Sequence, residues 1–406
     1  MYDGWVKAYD NGELTGVCLL DMSAAFDIVD HPLLLKKLEL YGFQQESLNW
    51  VHSYLSGRSQ GVCINGSLSR LLPVPVGVPQ GSILGPLFYT LFTNELPEVV
   101  HHHDHLQDPS DWPPYNLSCK DCGSICCFAD DTTFSCSNSS PDSVSQQLST
   151  QFLNISNFLV SNRLKLNEDK THLMVLTSSQ SRKARRKTGR DLAVSIVTPS
   201  ATISPTSSEK LLGGWVHQDL KWAEHILEGK DSLVKCLNKR LSALKLVGKV
   251  ATFRTRKIIA DGVFMSKLVY LISLWGGCEN YLIRTLQIIQ NKAARVVTKL
   301  DWDTPTKVLL SQCGWLSVQQ LAYYHTVILV YNILHSGQPK YLHNFFNMQY
   351  KVKTRLADQQ LLKPSQVDAP HHDLVTDSFR WRGLHQWNDL PFKGKANHPQ
   401  QIHLKL

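Results

Sequence analysis

Two acidic residues, Asp130 and Asp131, stand side by side between two short strand-forming runs, Cys126–Phe128 and Thr132–Cys136. A pair in that setting predicts the turn of a β-hairpin, because aspartate favours turns and the flanking residues favour extended backbone. A third acid, Asp21, ends another apolar run, Thr15–Leu20, which is short enough for a buried strand. Apolar strands would lift these acids to the edge of a sheet. Like charges gathered there repel one another and favour a cation, and magnesium prefers carboxylate oxygens combined with phosphates. An Asp-Asp pair on its own is more often plain turn chemistry, so these residues alone leave both readings open.

The surrounding chain alternates strands and helices. Asp30-His31-Pro32 starts a helix, with Asp30 as N-cap and proline in the first turn. Leu33, Leu34, Leu38 and Leu40 give its buried face, and Gly42 ends it. A second helix covers Gln45 to Ser56. Val62, Ile64 and Asn65-Gly66 predict a hairpin with a return strand from Leu68 to Val76. Gly77 to Gly81 is a loop opening a helix over Ser82 to Glu95. His101 to Ser124, rich in His, Pro and Cys, reads as an inserted loop. Val144 to Asn162 carries Leu148, Phe152, Ile155, Phe158 and Leu159 at helical spacing, a face for packing on a sheet. Leu164 to Leu176 is a turn and a strand, and Arg182 to Arg190 is a basic run expected as a solvated loop. From about Lys230 the chain is mostly helical, with Leu233, Leu237, Leu241 and Leu244 in phase. The tail after Tyr350 is more polar.

The formal net charge of +8 suits a polyanionic partner without requiring one. No apolar run reaches the length of a membrane span, and the N-terminus lacks the basic-then-apolar pattern of a signal peptide. The ten cysteines have no framework spacing. The expectation is a soluble intracellular protein with reduced thiols and no membrane partner, nucleus and cytoplasm not being distinguished. Cys236, Cys278 and Cys313 read as core, as do Trp215, Trp275 and Trp315. At least one of Cys126 and Cys127 is expected to be buried on its strand.

Four segments together carry a family resemblance. Leu20-Asp21-Met22-Ser23-Ala24-Ala25-Phe26-Asp27 resembles motif A of reverse transcriptases, and Val78-Pro79-Gln80-Gly81-Ser82-Ile83-Leu84-Gly85-Pro86 resembles motif B. Phe128-Ala129-Asp130-Asp131 is similar to motif C in its LINE-type form, and Leu166-Asn167-Glu168-Asp169-Lys170-Thr171 to motif D. Their order and spacing are those of the family. Leu211-Leu212-Gly213 with Leu220-Lys221-Trp222 to His225-Ile226 resembles the motif E region, and the helical stretch beyond it the thumb. Phe379 to Gly383 and Trp387 to Pro391 resemble the tail of such elements. The chain is thus identified as a member of the non-LTR (LINE-type, jockey-like) retrotransposon reverse transcriptases.

That resemblance implies an α+β right-hand polymerase palm, an antiparallel sheet packed on helices, followed by a helical thumb. It draws the palm over residues 1–228 with the insert at about 101–124, the thumb over 229–345 and a C-terminal extension over 346–406. It implies Asp21 and Asp130 as ligands of two Mg2+ ions, with Mn2+ an alternative and Asp131 the less direct third acid. Phe26 would sit under the incoming sugar and disfavour a ribose 2′-hydroxyl. Pro79, Gln80 and Gly81 would face the template base and incoming nucleotide, and Lys170 would protonate the departing pyrophosphate. RNA template, DNA primer and deoxynucleotides are the implied partners.

Two departures from the family pattern qualify this expectation. The chain begins about twenty residues before Asp21, so the fingers and an upstream endonuclease segment are expected to be missing. The insert holds Cys119-Lys120-Asp121-Cys122, one C-x-x-C half of a zinc site, set against a loop with free thiols. The readings carried forward are an RNA-directed DNA polymerase, a catalytically inactive truncated remnant that only binds nucleic acid, and a metal-dependent phosphohydrolase, which the template-facing motif B disfavours.

Overall fold

The computed structural model describes residues 1–100, 118–119, 123–187, 194–198, 202–346 and 372–390. By internal contacts the chain separates into two units, one formed by Met1 with Glu13–Ser207, the other by Tyr2–Gly12 with Ser208–Leu406.

The first unit is organised around one apolar strand, Leu14–Met22 (β1), buried along most of its length. Its sheet partners are Ser118–Cys119 (β2), Gly123–Phe128 (β3), Asp131–Asn138 (β4), Leu166–Leu176 (β5) and Pro205–Thr206 (β6), in the order β6-β5-β1-β4-β3-β2. The ladders are antiparallel, as expected, except that β6 runs parallel to β5. Leu14, Cys18, Leu20 and Met22 alternate along β1 into one core with Leu148, Phe152, Ile155 and Leu159 of the helix Pro141–Ser161. Gly16 lets that helix approach, since a Cβ there would lie 2.5 Å from Leu148 Cδ1 and 2.8 Å from Val144 Cγ1.

The helix His31–Leu40 starts where its cap requires, with Leu33 N donating to Asp30 Oδ1 at 2.9 Å. Arg163 Nη1 also reaches Asp30, at 2.5 Å. The buried face differs from the expected one: Leu40 is 79% exposed, and Lys37 lies inside with Leu34 and Leu38. Lys37 is tolerated because its ammonium donates to Phe92 O at 2.6 Å and Glu95 Oε2 at 2.7 Å. The Asn65-Gly66 turn forms, with both residues at positive φ, and Cys63–Ile64 pairs with Ser67–Leu68. The return strand is not continuous to Val76. Ser69 Oγ takes the amide of Val62, and pairing resumes only between Ser59–Gln60 and Leu72–Pro73. Pro73 and Pro75 supply no amide hydrogens that could extend it. The helix expected over Ser82 to Glu95 spans Leu84–Phe92, with a further turn at Leu96–Val100. The basic run is also corrected: up to Lys187 it lies in a helix, Ser179–Lys187, rather than a loop.

In the second unit, Ser208–Leu211 and Gly214–His217 form a hairpin turned by Leu212 and Gly213, both at positive φ. His225 Nδ1 accepts from Trp215 N at 3.3 Å and so anchors the hairpin to the helical turn Glu224–Glu228. Helices follow, with Leu233, Leu237, Leu241 and Leu244 buried in phase. Cys278 and Cys313 are core residues as expected, whereas Cys236 and Trp215 are only half-buried. The helix Phe379–Asn388 is held by Arg382, whose guanidinium donates to Asp377 O, Ser273 O and Leu274 O. The N-terminal helix Tyr2–Asp10 belongs to this unit, with Arg380 N donating to Asp3 Oδ1. Among the described residues no helix is long and apolar enough to cross a membrane.

Candidate active site

The sheet register brings the three acids together. In the β1–β4 ladder Leu20 pairs with Thr132, so the next residues outward are Asp21 and Asp131, on adjacent strands. Asp131 begins β4 directly after the hairpin turn, which is closed by the Phe128–Asp131 pair and contains Ala129, at φ 54°, and Asp130. On its other side Asp21 pairs with Asn167 of β5, past an irregularity in register between Leu19 and Asp21.

Partial burial raises the pKa of the Asp131 carboxyl, and the charges of Asp130 and then Asp21 raise it further. Asp130 and Asp21 are therefore both within Coulombic reach of Asp131. They are not closed into a chelate: among the described residues no three His, Cys, Asp or Glu side chains form a ready metal-binding group. The donor set is all carboxylate, half-buried or exposed, and its mutual repulsion is what a hard divalent cation relieves. Lys170 of β5 brings a positive charge to the group, with Nζ 3.6 Å from Asp21 Oδ2. Both side chains of that pair face solvent, so it adds little stability.

Beyond β1 the chain turns through Ala24, at φ 49°, with Asp27 N donating to Ala24 O at 2.8 Å. This turn seats Phe26 on the Tyr89 ring, centroids 4.5 Å apart. The loop Gly77–Gly81 is fastened to the same turn: Val78 N donates to Phe26 O, Gly77 N to Val29 O, and Gln80 Nε2 to Asp27 Oδ1 at 2.8 Å. Gly77, at φ 88°, is pressed against Asp27, where a Cβ would meet the carbonyl oxygen at 2.5 Å. Gly81, at φ 79°, has nothing within 4 Å of its missing Cβ, so its backbone is open to a ligand. Pro79 O accepts from Ser82 Oγ at 2.7 Å, which closes the loop onto the helix that follows.

The structure therefore places Asp21, Asp130, Asp131 and Lys170 at one sheet edge, and sets Phe26 and the loop of Pro79, Gln80 and Gly81 in a second cluster, joined by the backbone bond Val78 N to Phe26 O and the side-chain bond Gln80 to Asp27. Sequence reasoning passed over Tyr89 and Asp27. Tyr89 carries Phe26, donates to Met22 Sδ at 3.2 Å, and is close enough to Asp130 to feel its charge. Its signal was its place on the apolar face of the helix after Gly81. One expectation about the cysteines comes out differently. Cys126 and Cys127, which point to opposite faces of β3, are both exposed. The proposed zinc half-site lies outside the described residues, for Cys122 and for the side chain of Cys119.

The model of the family described as reverse transcriptase (RNA-dependent DNA polymerase) matches residues 6–213. The chain is 25% identical over 295 residues to the "Probable RNA-directed DNA polymerase from transposon BS" of Drosophila melanogaster, covering 72% of this chain and 30% of that protein. It is 24% identical over 312 residues to the "RNA-directed DNA polymerase from mobile element jockey" of Drosophila funebris, covering 74% of this chain and 30% of that protein. The chain thus spans about 30% of the length of these curated relatives. A solved telomerase from Candida tropicalis aligns with a TM-score of 0.35 at 11% identity, over 80% of this chain and 48% of that one, and nothing below rests on it. With a family match over more than half of its 406 residues, and with the three acids of its first unit at one sheet edge, this chain belongs to the reverse transcriptase (RNA-dependent DNA polymerase) family.

Proposed function

We propose that this chain carries the catalytic palm of an RNA-directed DNA polymerase of a non-LTR retrotransposon, extending a DNA primer with deoxynucleotides copied from an RNA template. On this reading residues 1–228 are the palm, 229–345 the thumb and 346–406 a C-terminal extension. The single observation that carries the proposal is the strand register, which makes Asp21 and Asp131 the next residues outward from the Leu20–Thr132 pair on adjacent strands, with Asp130 in the hairpin turn before Asp131.

The family uses divalent metal ions, and Asp21 and Asp130, with Asp131 as third acid, are the residues that would hold two Mg2+ or Mn2+ here. When bound, such ions would supply activation of the primer 3′-hydroxyl and charge stabilisation at the leaving oxygen. The 3′-oxygen forms a bond to the α-phosphorus, the α-phosphorus to β-bridging-oxygen bond breaks, and pyrophosphate leaves. The hydroxyl proton goes to solvent, and Lys170 gives a proton to the departing pyrophosphate. Phe26, seated on Tyr89, blocks the space of a 2′-hydroxyl. Gln80 and Gly81 bear on the template base and incoming nucleotide, with Gln80 oriented by Asp27.

The test is primer extension on an RNA template with deoxynucleotides and magnesium, beside an Asp130→Asn control. Extension that disappears in the control supports the proposal. Retained duplex binding without extension would leave a chain that only binds nucleic acid. Cleavage without extension would make it a phosphohydrolase.

A further inference from the structure

The helix Ser179–Lys187 has the sequence Ser-Gln-Ser-Arg-Lys-Ala-Arg-Arg-Lys, with no acidic residue and only Ala184 apolar. It therefore has no apolar stripe to bury, which is the usual source of stability for a helix this short. A side-chain pair works against it. Lys183 and Lys187 are like charges four residues apart. Only the basic last turn is favourable, at the negative end of the helix dipole. At 3.6 residues per turn, positions 183 and 187 lie about 40° apart, a single basic face. Lys183 and Lys187 are exposed, while Arg182 Nη2 turns back to Thr177 O at 3.1 Å.

The helix follows β5, the strand that carries Lys170. From Lys170 to the end of that strand is six residues, about 20 Å at roughly 3.3 Å each. The basic face thus belongs to the palm unit but stands well away from the acids, too far to touch reacting atoms.

We propose that this face is a contact for the sugar–phosphate backbone of the primer–template duplex, a dedicated electrostatic hold remote from the chemistry. The proposal rests on the polymerase reading for the identity of the duplex. Its physical basis is complementarity: phosphates placed along the face turn repulsion within the helix into attraction and release counterions from the duplex.

The experiment uses the full chain and a mixed-sequence RNA–DNA hybrid duplex, with the dissociation constant measured across a salt series. Lys183→Glu/Lys187→Glu should bind more weakly and flatten the dependence of log Kd on log salt by about one to two units. Lys183→Arg/Lys187→Arg keeps both charges and should keep the slope. If the glutamate variant fails to fold by circular dichroism, Lys183→Gln/Lys187→Gln gives the same comparison. A folded variant with wild-type affinity and slope overturns the proposal, and so does unchanged duplex binding with loss of binding to a nuclear-import receptor. A wild-type chain that adds no nucleotide would overturn the polymerase reading, while the salt slopes would still decide this one.

Discussion

Phe26 lies on Tyr89 with ring centroids 4.5 Å apart and planes inclined by 29°, so the residue proposed to police the sugar is itself held by a side chain from the helix after the glycine loop. Phe26→Val should raise the use of ribonucleotides relative to deoxynucleotides, by about tenfold or more in the ratio of kcat/KM values, the scale of one lost steric discrimination. Tyr89→Leu should move the ratio the same way by less, because it loosens Phe26 without removing it. Single-nucleotide incorporation with matched ribo and deoxy substrates measures both, and a ratio unmoved by Phe26→Val would remove Phe26 from sugar selection.

Gly77 and Gly81 both have positive φ, but only Gly77 is crowded, against the backbone of Asp27. Gly81→Ala should therefore cost only the strain of a left-handed residue, about 1–2 kcal/mol. Gly77→Ala adds a clash with backbone that cannot move aside, and should cost more while also breaking the hydrogen bonds that join the two loops. Chemical denaturation of the two variants in parallel checks the order, and equal losses would contradict it.

How much of this could be read in the sequence follows from the range of the forces involved. The Asp30 cap, the Asn65-Gly66 turn and the Asp130-Asp131 hairpin depend on neighbours within a few residues; the first two formed as read, and the hairpin formed with its turn one residue earlier, at Ala129-Asp130, and Asp131 paired in β4. Strand apolarity likewise placed Asp21 at the end of β1. The failures depend on distant partners. Lys37 is buried because Phe92 and Glu95, more than fifty residues on, receive its ammonium. Cys126 and Cys127 are exposed on opposite faces of β3, an outcome set by what packs over those faces and not by the strand's own residues. Tyr89 looked like any apolar-face aromatic until the turn at Ala24 delivered Phe26 onto it.

Asp131 is destabilised in its charged form by burial, Asp130 and Asp21. Its folded pKa lies above its unfolded value, so the penalty is present at neutral pH and is relieved as pH falls through the folded pKa. Asp131→Asn should therefore melt slightly higher than wild type at neutral pH, and the gap should close on acidification. Because the side chain is exposed, the effect should stay below about 1 kcal/mol. Magnesium should raise the melting temperature of wild type more than that of the variant. Calorimetry at two pH values, with and without magnesium, tests this; a lower-melting variant at neutral pH would show that Asp131 makes a favourable contact instead.

Lys170 sits 3.6 Å from Asp21 with most of its side chain in solvent. Lys170→Met should change stability by under about 1 kcal/mol, since exposed pairs contribute little. If the ammonium protonates pyrophosphate, the same change should lower kcat by about 10²-fold, the lower end for general acid catalysis, and shift the pH–rate profile on its alkaline side. Pre-steady-state incorporation across pH separates the two roles. A wild-type profile in the methionine variant would leave Lys170 as a surface charge.

His225 anchors the hairpin Ser208–Leu211/Gly214–His217 through Trp215 N, and it does so as a neutral ring. Burial, with Lys267 and Lys210 adding to it, lowers its pKa from 6.5 to about 4. A histidine depressed in this way stabilises the fold above its unfolded pKa, and that stability is lost as pH falls from 6.5 towards 4. The shift corresponds to about 3 kcal/mol across that window. Other carboxylates titrate there too, so the informative quantity is a difference. His225→Asn keeps an acceptor for the Trp215 amide but cannot charge, and its stability should fall less steeply than wild type between pH 6.5 and 4. Parallel urea titrations at intervals across that range give the two slopes. Identical slopes would mean that His225 takes up its proton as readily in the folded chain as in the unfolded one, so that its burial does not depress its pKa.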